Sequence, residues 1–431
     1  MTDTQTQFIE VTRLRIGMFV YLDMGWMDHP FPVNNFLIRS QEQINIIRSL
    51  GLERVRYSPE KSNPENPAPA NTTLAAAGQS ASPLPAARSE SPKAEEARLR
   101  REMLASQHTS LLACERQFGL ATQTFKQVTE FVHSQPVFAK EQTQVLIQGF
   151  LAGVLGEEEA AIRLLSEKAG EKTSLHSINV TVVSLLLGKA LQLSKPQMLD
   201  LGMGALLHDI GKMELPDRLR WQDEQYSHAE KQLYQNHVLY GLNMGRKMEL
   251  NPSTLLLIAQ HHELADGSGY PSAIKGEKIS PLSSIVALAN RYDNLCNPGN
   301  PAMAVTPHEA LSQVFTQFKA QFNTPTMTAF IRMMGVYPPG SVVQLTDERY
   351  ALVVAMNSAR PIKPKVVIHN PEIAREDALV INLEQEANLG IRRSLKPLQL
   401  PKAAYDYLSP RKRLCYFFER GIELPVSGAV S

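Results

Sequence analysis

GALLHDIGK, residues 204–212, closes an apolar helical run on an adjacent histidine and aspartate, His208 and Asp209, followed by a Gly-Lys that lets the backbone turn. Leu206 and Leu207 are placed to pack inward, so His208 and Asp209 project at the mouth of a helical bundle. Taken alone, the pair better describes a buried histidine satisfied by its neighbour. The wider pattern shifts the balance, because six of the chain's 11 histidines fall between His176 and His262, and His261-His262 form a second adjacent pair. A divalent cation must exchange its water shell for several lone pairs fixed at about 2.0–2.2 Å. Grouped imidazoles and a carboxylate supply them, so a metal centre is the first expectation.

Composition narrows the setting. At 431 residues the chain can hold two or three domains and a sizeable core. Its three cysteines, Cys114, Cys296 and Cys415, form no CxxC pair and no bridge framework, which points to a reducing cytoplasm. The opening MTDTQTQFIE is polar and is not expected to act as a signal peptide. The apolar stretch near Val180–Leu187 is far shorter than the roughly 20 residues of a spanning helix, so no membrane is expected. With 44 basic against 43 acidic residues there is no field to attract a nucleic-acid polymer, although a small anion remains open. Arg411, Lys412 and Arg413 read as solvated surface.

Around the histidine-rich segment the chain divides by pattern. Residues 1–58 read as a small α+β module: a strand-like run at Ile16–Leu22, an amphipathic Gln41–Leu50 and a short alternating Arg54–Tyr57. Residues 59–93, rich in Pro, Ala, Ser and Asn, read as a flexible linker that buries too little apolar surface to order itself. From 94 to 335 the helical period dominates, beginning with a charged stretch to Ser134 that would connect, and in a homodimer could pair, helices without a clean heptad. Helix starts are marked by a Ser227/Glu230 capping box and by Asn251-Pro252, Ser280-Pro281, Thr306-Pro307 and Thr324-Pro325. Gly211 and Gly335 read as left-handed C-terminal caps. From 336 to 431 the period turns to two, with strands expected at Val342–Leu345, Tyr350–Met356 and Lys365–His369. The fold class is therefore mainly α, with a small N-terminal α+β module and a small C-terminal β appendage.

Within the helical region, His237 shares a face with Leu233 and Gly241, and Gly241 permits a close approach. Adjacent side chains on a helix diverge by about 100°, so His261 and His262 can both be ligands only at a helix end beside two metals or a metal and a substrate. That favours a dinuclear centre. The next loop, Asp266-Gly267-Ser268-Gly269-Tyr270-Pro271, reads as a tight inter-helix turn whose place beside the pair would bring Tyr270 to a ligand.

These motifs, in this order and with this spacing, resemble the HD-GYP family of metal-dependent phosphodiesterases over roughly residues 165–335: His208-Asp209-Ile210-Gly211-Lys212, His237, His261-His262-Glu263, and Asp266 to Pro271. The segment Arg15–Val20 with His29-Pro30-Phe31 resembles an uncharacterised module that often precedes that domain in bacteria. The resemblance implies an HD-type helical bundle and hydrolysis of cyclic di-GMP to the linear dinucleotide and GMP with two divalent transition metals, iron or manganese. It assigns His176, His208, Asp209, His237, His261, His262 and, at the family's last aspartate, Asn290 as ligands. Asp209 is the bridging ligand, and Lys212 the lysine that contacts a phosphate. Gly269, Tyr270 and Pro271 would face substrate, and the same loop is a docking point for a diguanylate cyclase or another signalling protein.

Three departures bear on activity. Lys172 stands where the family commonly has a glutamate, which removes a third-metal ligand. Asn290 lacks the charge of the usual aspartate, with Asp293 one helical turn on as a compensating group. The family's phosphate-contacting Arg and Lys fall at Gly299 and Ala302. Two outcomes follow from these residues: a working dinuclear phosphodiesterase, or a catalytically impaired module that binds cyclic di-GMP or a partner. Hydrolysis of another nucleotide phosphoester is a third.

Overall fold

The computed structural model describes residues 6–23, 35–39, 41–62, 92–156, 160–165, 172–220, 226–356 and 362–420. The histidine at position 29 with its Pro-Phe neighbours, and most of the Pro/Ala/Ser-rich segment, lie outside these residues. Two compact units result, Met1–Glu102 and Met103–Ser431.

The first unit is an antiparallel sheet of β1 (Gln7–Glu10), β2 (Phe19–Tyr21), β3 (Asn35–Leu37) and β4 (Arg54–Ser58), in the order β1-β4-β2-β3, with α1 (Gln41–Ser49) between β3 and β4. Val20, Ile38, Ile44, Ile47 and Val55 form its core. The strand expected over Ile16–Leu22 starts later, because Gly17 turns the chain with φ 92° while its amide bonds to Ile38 O. That conformation is open to glycine at no steric cost.

The second unit begins along the long α2 (Pro92–Phe131), then α3 (Pro136–Val154), β5 (Ala160–Leu164), α4 (Lys172–Ala190) and α5 (Lys195–Leu207). After these come α6 (His228–Gln235), α7 (His237–Lys247), α8 (Pro252–Gln260), α9 (Pro281–Cys296), α10 (Pro307–Thr316) and α11 (Thr324–Met334). The chain then runs through β6 (Val342–Leu345), β7 (Tyr350–Ala355), β8 (Lys365–Ile368), β9 (Val380–Asn382), β10 (Ile391–Leu395), α12 (Lys402–Leu408) and β11 (Tyr416–Arg420). No helix among the described residues is long and apolar enough to cross a membrane.

Helix α4 is the hub. Every residue from Ile178 to Leu187 is buried, as a helix enclosed on all sides requires, and it packs against α5, α9, α11 and β11. On α2 the buried positions Cys114, Phe118, Ala121, Phe125 and Val128 alternate by four and three, and Val132 just past its end continues the pattern. That seam is filled from within the chain, by contacts such as the edge-on Phe118–Phe417 pair at 6.1 Å. It is not left free for a coiled-coil partner.

The C-terminal strands do not stand apart from the helices. They form a seven-stranded sheet whose path β10-β6-β7-β5-β11 takes in β5 from the middle of the helical region, with β8 and β9 extending from β7. Inside this unit Arg163 of β5 and Glu419 of β11 make a buried ion pair. Arg411, read from sequence as solvated, is half-buried and donates to the carbonyls of Leu165 and Ser409.

Capping follows the sequence closely, with three corrections, the first that Ser280 precedes α9 without a side-chain cap bond. The Ser227/Glu230 and Thr306/Glu309 boxes form, and Asn251 caps α8 through Thr254 N. Helix α11 is capped by Asn323, one residue before the expected Thr324. Gly335 does adopt a positive φ, whereas Gly211 does not. A Cβ on Gly211 would stand 2.0 Å from His237 O and 2.3 Å from Gly241 N, so this glycine serves a backbone crossing instead of a left-handed cap.

Candidate metal centre

Four chain segments meet at Asp209. The apolar α5 runs into the core and delivers His208, fully buried, at its C-cap. A 3-10 turn, Ile210–Glu214, then bends the chain under α7, where Gly211 and Gly241 permit contact of the two backbones. The helix expected to carry His237 breaks at Asn236, so His237 opens α7 and lies buried against the turn. Helix α8 ends at Gln260, and His261 with His262 follow at its C-terminus. Their rings approach to 4.1 Å between centroids, which a helix end permits and a helix interior does not. From the other side α4 contributes His176.

The carboxylate of Asp209 divides these histidines into two groups. Its Oδ2 lies 3.6 Å from His176 Nε2 and 3.3 Å from His208 Nε2. Its Oδ1 lies 3.4 Å from His237 Nε2 and 3.6 Å from His261 Nε2. The ligand atoms of His176, His208 and Asp209 fall within 4.8 Å of one another, as do those of Asp209, His237, His261 and His262.

Tautomers follow from the outer partners. Nδ1 of His208, His237 and His261 sits 2.7, 2.5 and 2.8 Å from the carbonyls of Ala205, Tyr234 and Ile258, each three residues earlier. A carbonyl only accepts, so each Nδ1 carries the proton and each Nε2 presents a bare lone pair. His176 Nδ1 lies 2.6 Å from Asp293 Oδ2, with the same result. Lone pairs of imidazoles and carboxylate oxygens therefore face one another across 3.3–3.6 Å, and His237 Nε2 faces His261 Nε2 at 3.4 Å. Buried His176 Nε2, His208 Nε2, His262 Nε2 and Asp209 Oδ1 have no hydrogen-bond partner. A buried acceptor without a donor costs about 1–3 kcal/mol, and an array of them is stabilised by a cation. The residues present fit a divalent metal site.

Electrostatics agree with that assignment. Burial holds His208 and His262 below the ordinary imidazole range and pushes His237 down to about 3, keeping their lone pairs free at neutral pH. For Asp209, burial works against the charge but is outweighed by Lys212 and the surrounding imidazoles, so its carboxyl stays well below its usual range. Burial of Lys212 is likewise outweighed, by Asp209 and Tyr234, and the ammonium is held charged. Its Nζ lies 2.5 Å from Asp209 Oδ2 and 5.2 Å from the Tyr234 ring centroid.

The loop after the histidine pair folds back onto it. Gly269 is required because a Cβ there would meet His262 O and Leu264 N at 2.4 Å, and Tyr270 N donates to His262 O at 3.1 Å. The Tyr270 ring stacks on His262 with centroids 4.4 Å apart, and Pro271 follows through a cis peptide bond. Glu263, buried, accepts from Ser272 N at 2.7 Å and Ile274 N at 3.0 Å and so braces the loop.

Helix α9 carries the two remaining expectations. Asn290 is buried and its Oδ1 accepts from Asn294 Nδ2 at 2.6 Å. Asp293, weighed from sequence as a substitute ligand, turns its Oδ2 to His176 Nδ1 and orients that ring. Gly299 and Ala302 lie in the turn after α9, where Asn300 caps Ala302 N. Sequence reading missed the bracing role of Glu263, the place of Tyr234 beside Lys212 and the orienting role of Asp293. Their signals were present: Tyr234 and Glu263 flank His237 and His262, and Asp293 follows Asn290 by one turn.

Comparison with known proteins finds matches to two parts of the chain. Residues 156–320 match the HD domain, and residues 6–143 match a domain of unknown function, DUF3391. Cyclic di-GMP phosphodiesterase PA4108 of Pseudomonas aeruginosa is 27% identical over 84% of this chain and 84% of its own length. The cyclic di-GMP phosphodiesterase response regulator RpfG of Xanthomonas campestris pv. campestris is 28% identical over 47% of this chain and 55% of its own. Among solved structures, Bd1817, an HDG"Y"P protein from Bdellovibrio bacteriovorus, covers 76% of this chain and 98% of that one at 17% identity and a TM-score of 0.41.

Proposed function

We propose that this chain, an HD-domain protein with a DUF3391 module ahead of the domain, is a metal-dependent phosphodiesterase that hydrolyses cyclic di-GMP to the linear dinucleotide and GMP. One observation carries the reading: an acceptor-only constellation arranged in two groups about the two oxygens of Asp209. His176 and His208 would hold one divalent ion, and His237, His261 and His262 the other, with Asp209 shared. Asn290 would add an uncharged oxygen. Iron and manganese suit imidazole with carboxylate.

A pair of such ions supplies Lewis-acid polarisation of a phosphodiester and acidifies the attacking water. The chain's own groups do the rest. Lys212, held charged beside Asp209, offsets charge building on the phosphoryl oxygens. Tyr270, stacked on His262 and fixed by the Glu263 brace, offers a rigid aromatic edge to the substrate. The same loop is the surface through which a diguanylate cyclase or other signalling partner would dock.

Asn290 favours a second reading, a module that binds cyclic di-GMP without turnover. Metal analysis and an assay with cyclic di-GMP in the presence of manganese or iron separate the two. The phosphodiesterase reading expects about two metal equivalents, product formation, and a loss of at least about 10³-fold in His208→Ala. Tight binding without product in the loaded wild-type protein would sink it.

A further inference from the structure

Nδ1 of His208, His237 and His261 is oriented by a carbonyl of its own turn, whereas Nδ1 of His176 is oriented by a side chain. The carboxylate that does so is itself fixed. Asp293 Oδ1 accepts from Asn179 Nδ2 at 2.8 Å and from Asn297 Nδ2 at 2.9 Å, which leaves Oδ2 for His176. Both amides reach further, to the chain just before β11. Leu414 O accepts from Asn179 at 2.8 Å and Asn297 at 3.0 Å, Leu414 N donates to Asn297 Oδ1 at 2.8 Å, and Tyr416 N donates to Asn179 Oδ1 at 3.0 Å. Asn179 is fully buried and Asp293 nearly so, and each amide hydrogen of the two Nδ2 groups has its own acceptor.

We propose that Asp293 is a positioning residue that selects the metal-binding tautomer of His176, and that the C-terminal segment Leu414–Tyr416 holds it to that task through Asn179 and Asn297. The inference rests on the dinuclear reading above. It follows from donor and acceptor parity. With two N–H donors aimed at Oδ1, the other oxygen is the one that must accept from His176 Nδ1, so the ring proton sits on Nδ1 and Nε2 stays bare. The chain entering β11 thus braces the metal centre through backbone groups of Leu414 and Tyr416.

Asp293→Asn tests this without changing shape. Its carbonyl must stay towards Asn179 and Asn297, which turns the new NH₂ onto His176 Nδ1. Nδ1 then has to accept, and the proton moves to Nε2, the atom needed for metal. Calorimetric titration of metal-free protein with manganese, alongside circular dichroism, reads the result. One of two equivalents should weaken by at least about 100-fold in Asp293→Asn and by about 10-fold in Asn297→Ala, while the other stays within about threefold. A folded Asp293→Asn that binds two equivalents at wild-type affinity would overturn the proposal. Should that variant not fold, Asn297→Ala decides by the same criterion: one weakened equivalent supports the proposal, and two unchanged ones overturn it. A wild-type chain that binds fewer than two equivalents would instead overturn the dinuclear reading, and that is visible before any variant is made.

Discussion

Gly211→Ala adds one methyl group at the crossing that brings His237 to Asp209. The new Cβ would lie 2.0 Å from His237 O, 2.3 Å from Gly241 N and 2.9 Å from Gly241 Cα. All three are backbone atoms, so no rotamer relieves the clash. To reach a tolerable separation of about 3.3 Å the 3-10 turn and α7 must part by more than about 1 Å. Overpacking of this kind costs about 1–3 kcal/mol, and here the upper end applies, lowering Tm by roughly 5 °C. The displacement carries directly to Asp209 Oδ1 and His237 Nε2, now 3.4 Å apart. A misplacement of about 1 Å at a reacting centre costs on the order of 10²-fold in rate. Gly245→Ala on the same helix is the control, since its Cβ meets only side-chain methyls of Leu255 and Leu250 at 2.8 and 3.1 Å. These can move, and the helix gains about 0.8–1 kcal/mol of intrinsic preference. Thermal melts, metal content and cyclic di-GMP hydrolysis should show a large loss for Gly211→Ala and little change for Gly245→Ala. A Gly211→Ala protein with wild-type Tm, metal content and turnover would refute the reasoning.

Two further outcomes are expected. Burial keeps His208, His237 and His262 neutral in the folded chain, His237 down to about 3, whereas unfolded histidine takes its proton near 6.5. Below pH 6.5 the unfolded state binds more protons, so stability falls with pH by about 1.4 kcal/mol per unit per histidine. Chelator-treated protein should lose at least about 1.4 kcal/mol between pH 7.5 and 5.5 in urea unfolding, the share of His237 alone, with His208 and His262 adding in the same direction; equal stability at both values would show that these rings are not held neutral. Glu263→Gln places an NH₂ against one of the Ser272 and Ile274 amides, costing about 2 kcal/mol. It should raise KM for cyclic di-GMP more than it lowers kcat and leave metal content unchanged, and a loss of metal instead would show that Glu263 supports the centre itself.

Much of this was legible because the signals are local. Capping pairs, Pro at first helical positions and the period of three to four mark helix limits in α6, α8, α9 and α10 directly. The histidine pairs could be read because their spacing forces them to helix ends. What stayed hidden depends on long-range pairing. β5 is five residues of ordinary helix-forming composition, and only its pairing with distant strands, from Leu164 opposite Tyr416 to Ala160 opposite Arg420 and with Arg163 opposite Ala355, makes it a strand. Gly211 was misread for a related reason: a glycine after a helix suggests a positive φ, and nothing nearby in sequence reveals that α7 will lie on it. The turn of Asp293 towards α4 likewise depends on a partner far along the chain, His176.

Asn290 becomes intelligible once the charges are counted. Among the described residues the converging groups contain a single carboxylate, Asp209, and His208, His237 and His262 beside it are held neutral by burial. Loaded with two divalent cations, such a centre would keep a large net positive charge, increased by Lys212. An aspartate at 290 would hold metal more tightly and cancel part of that charge. If Asn290 is a ligand as proposed, the amide would give up grip and leave more field for an anionic phosphodiester, in a chain that has no basic residue at Gly299 or Ala302 to provide one. Weaker coordination then has to be offset by ligands that are already oriented. Three Nδ1–carbonyl bonds, the Asp293 bond to His176 and the braced loop behind His262 supply that order, so the ring orientations need not be fixed at the moment metal binds.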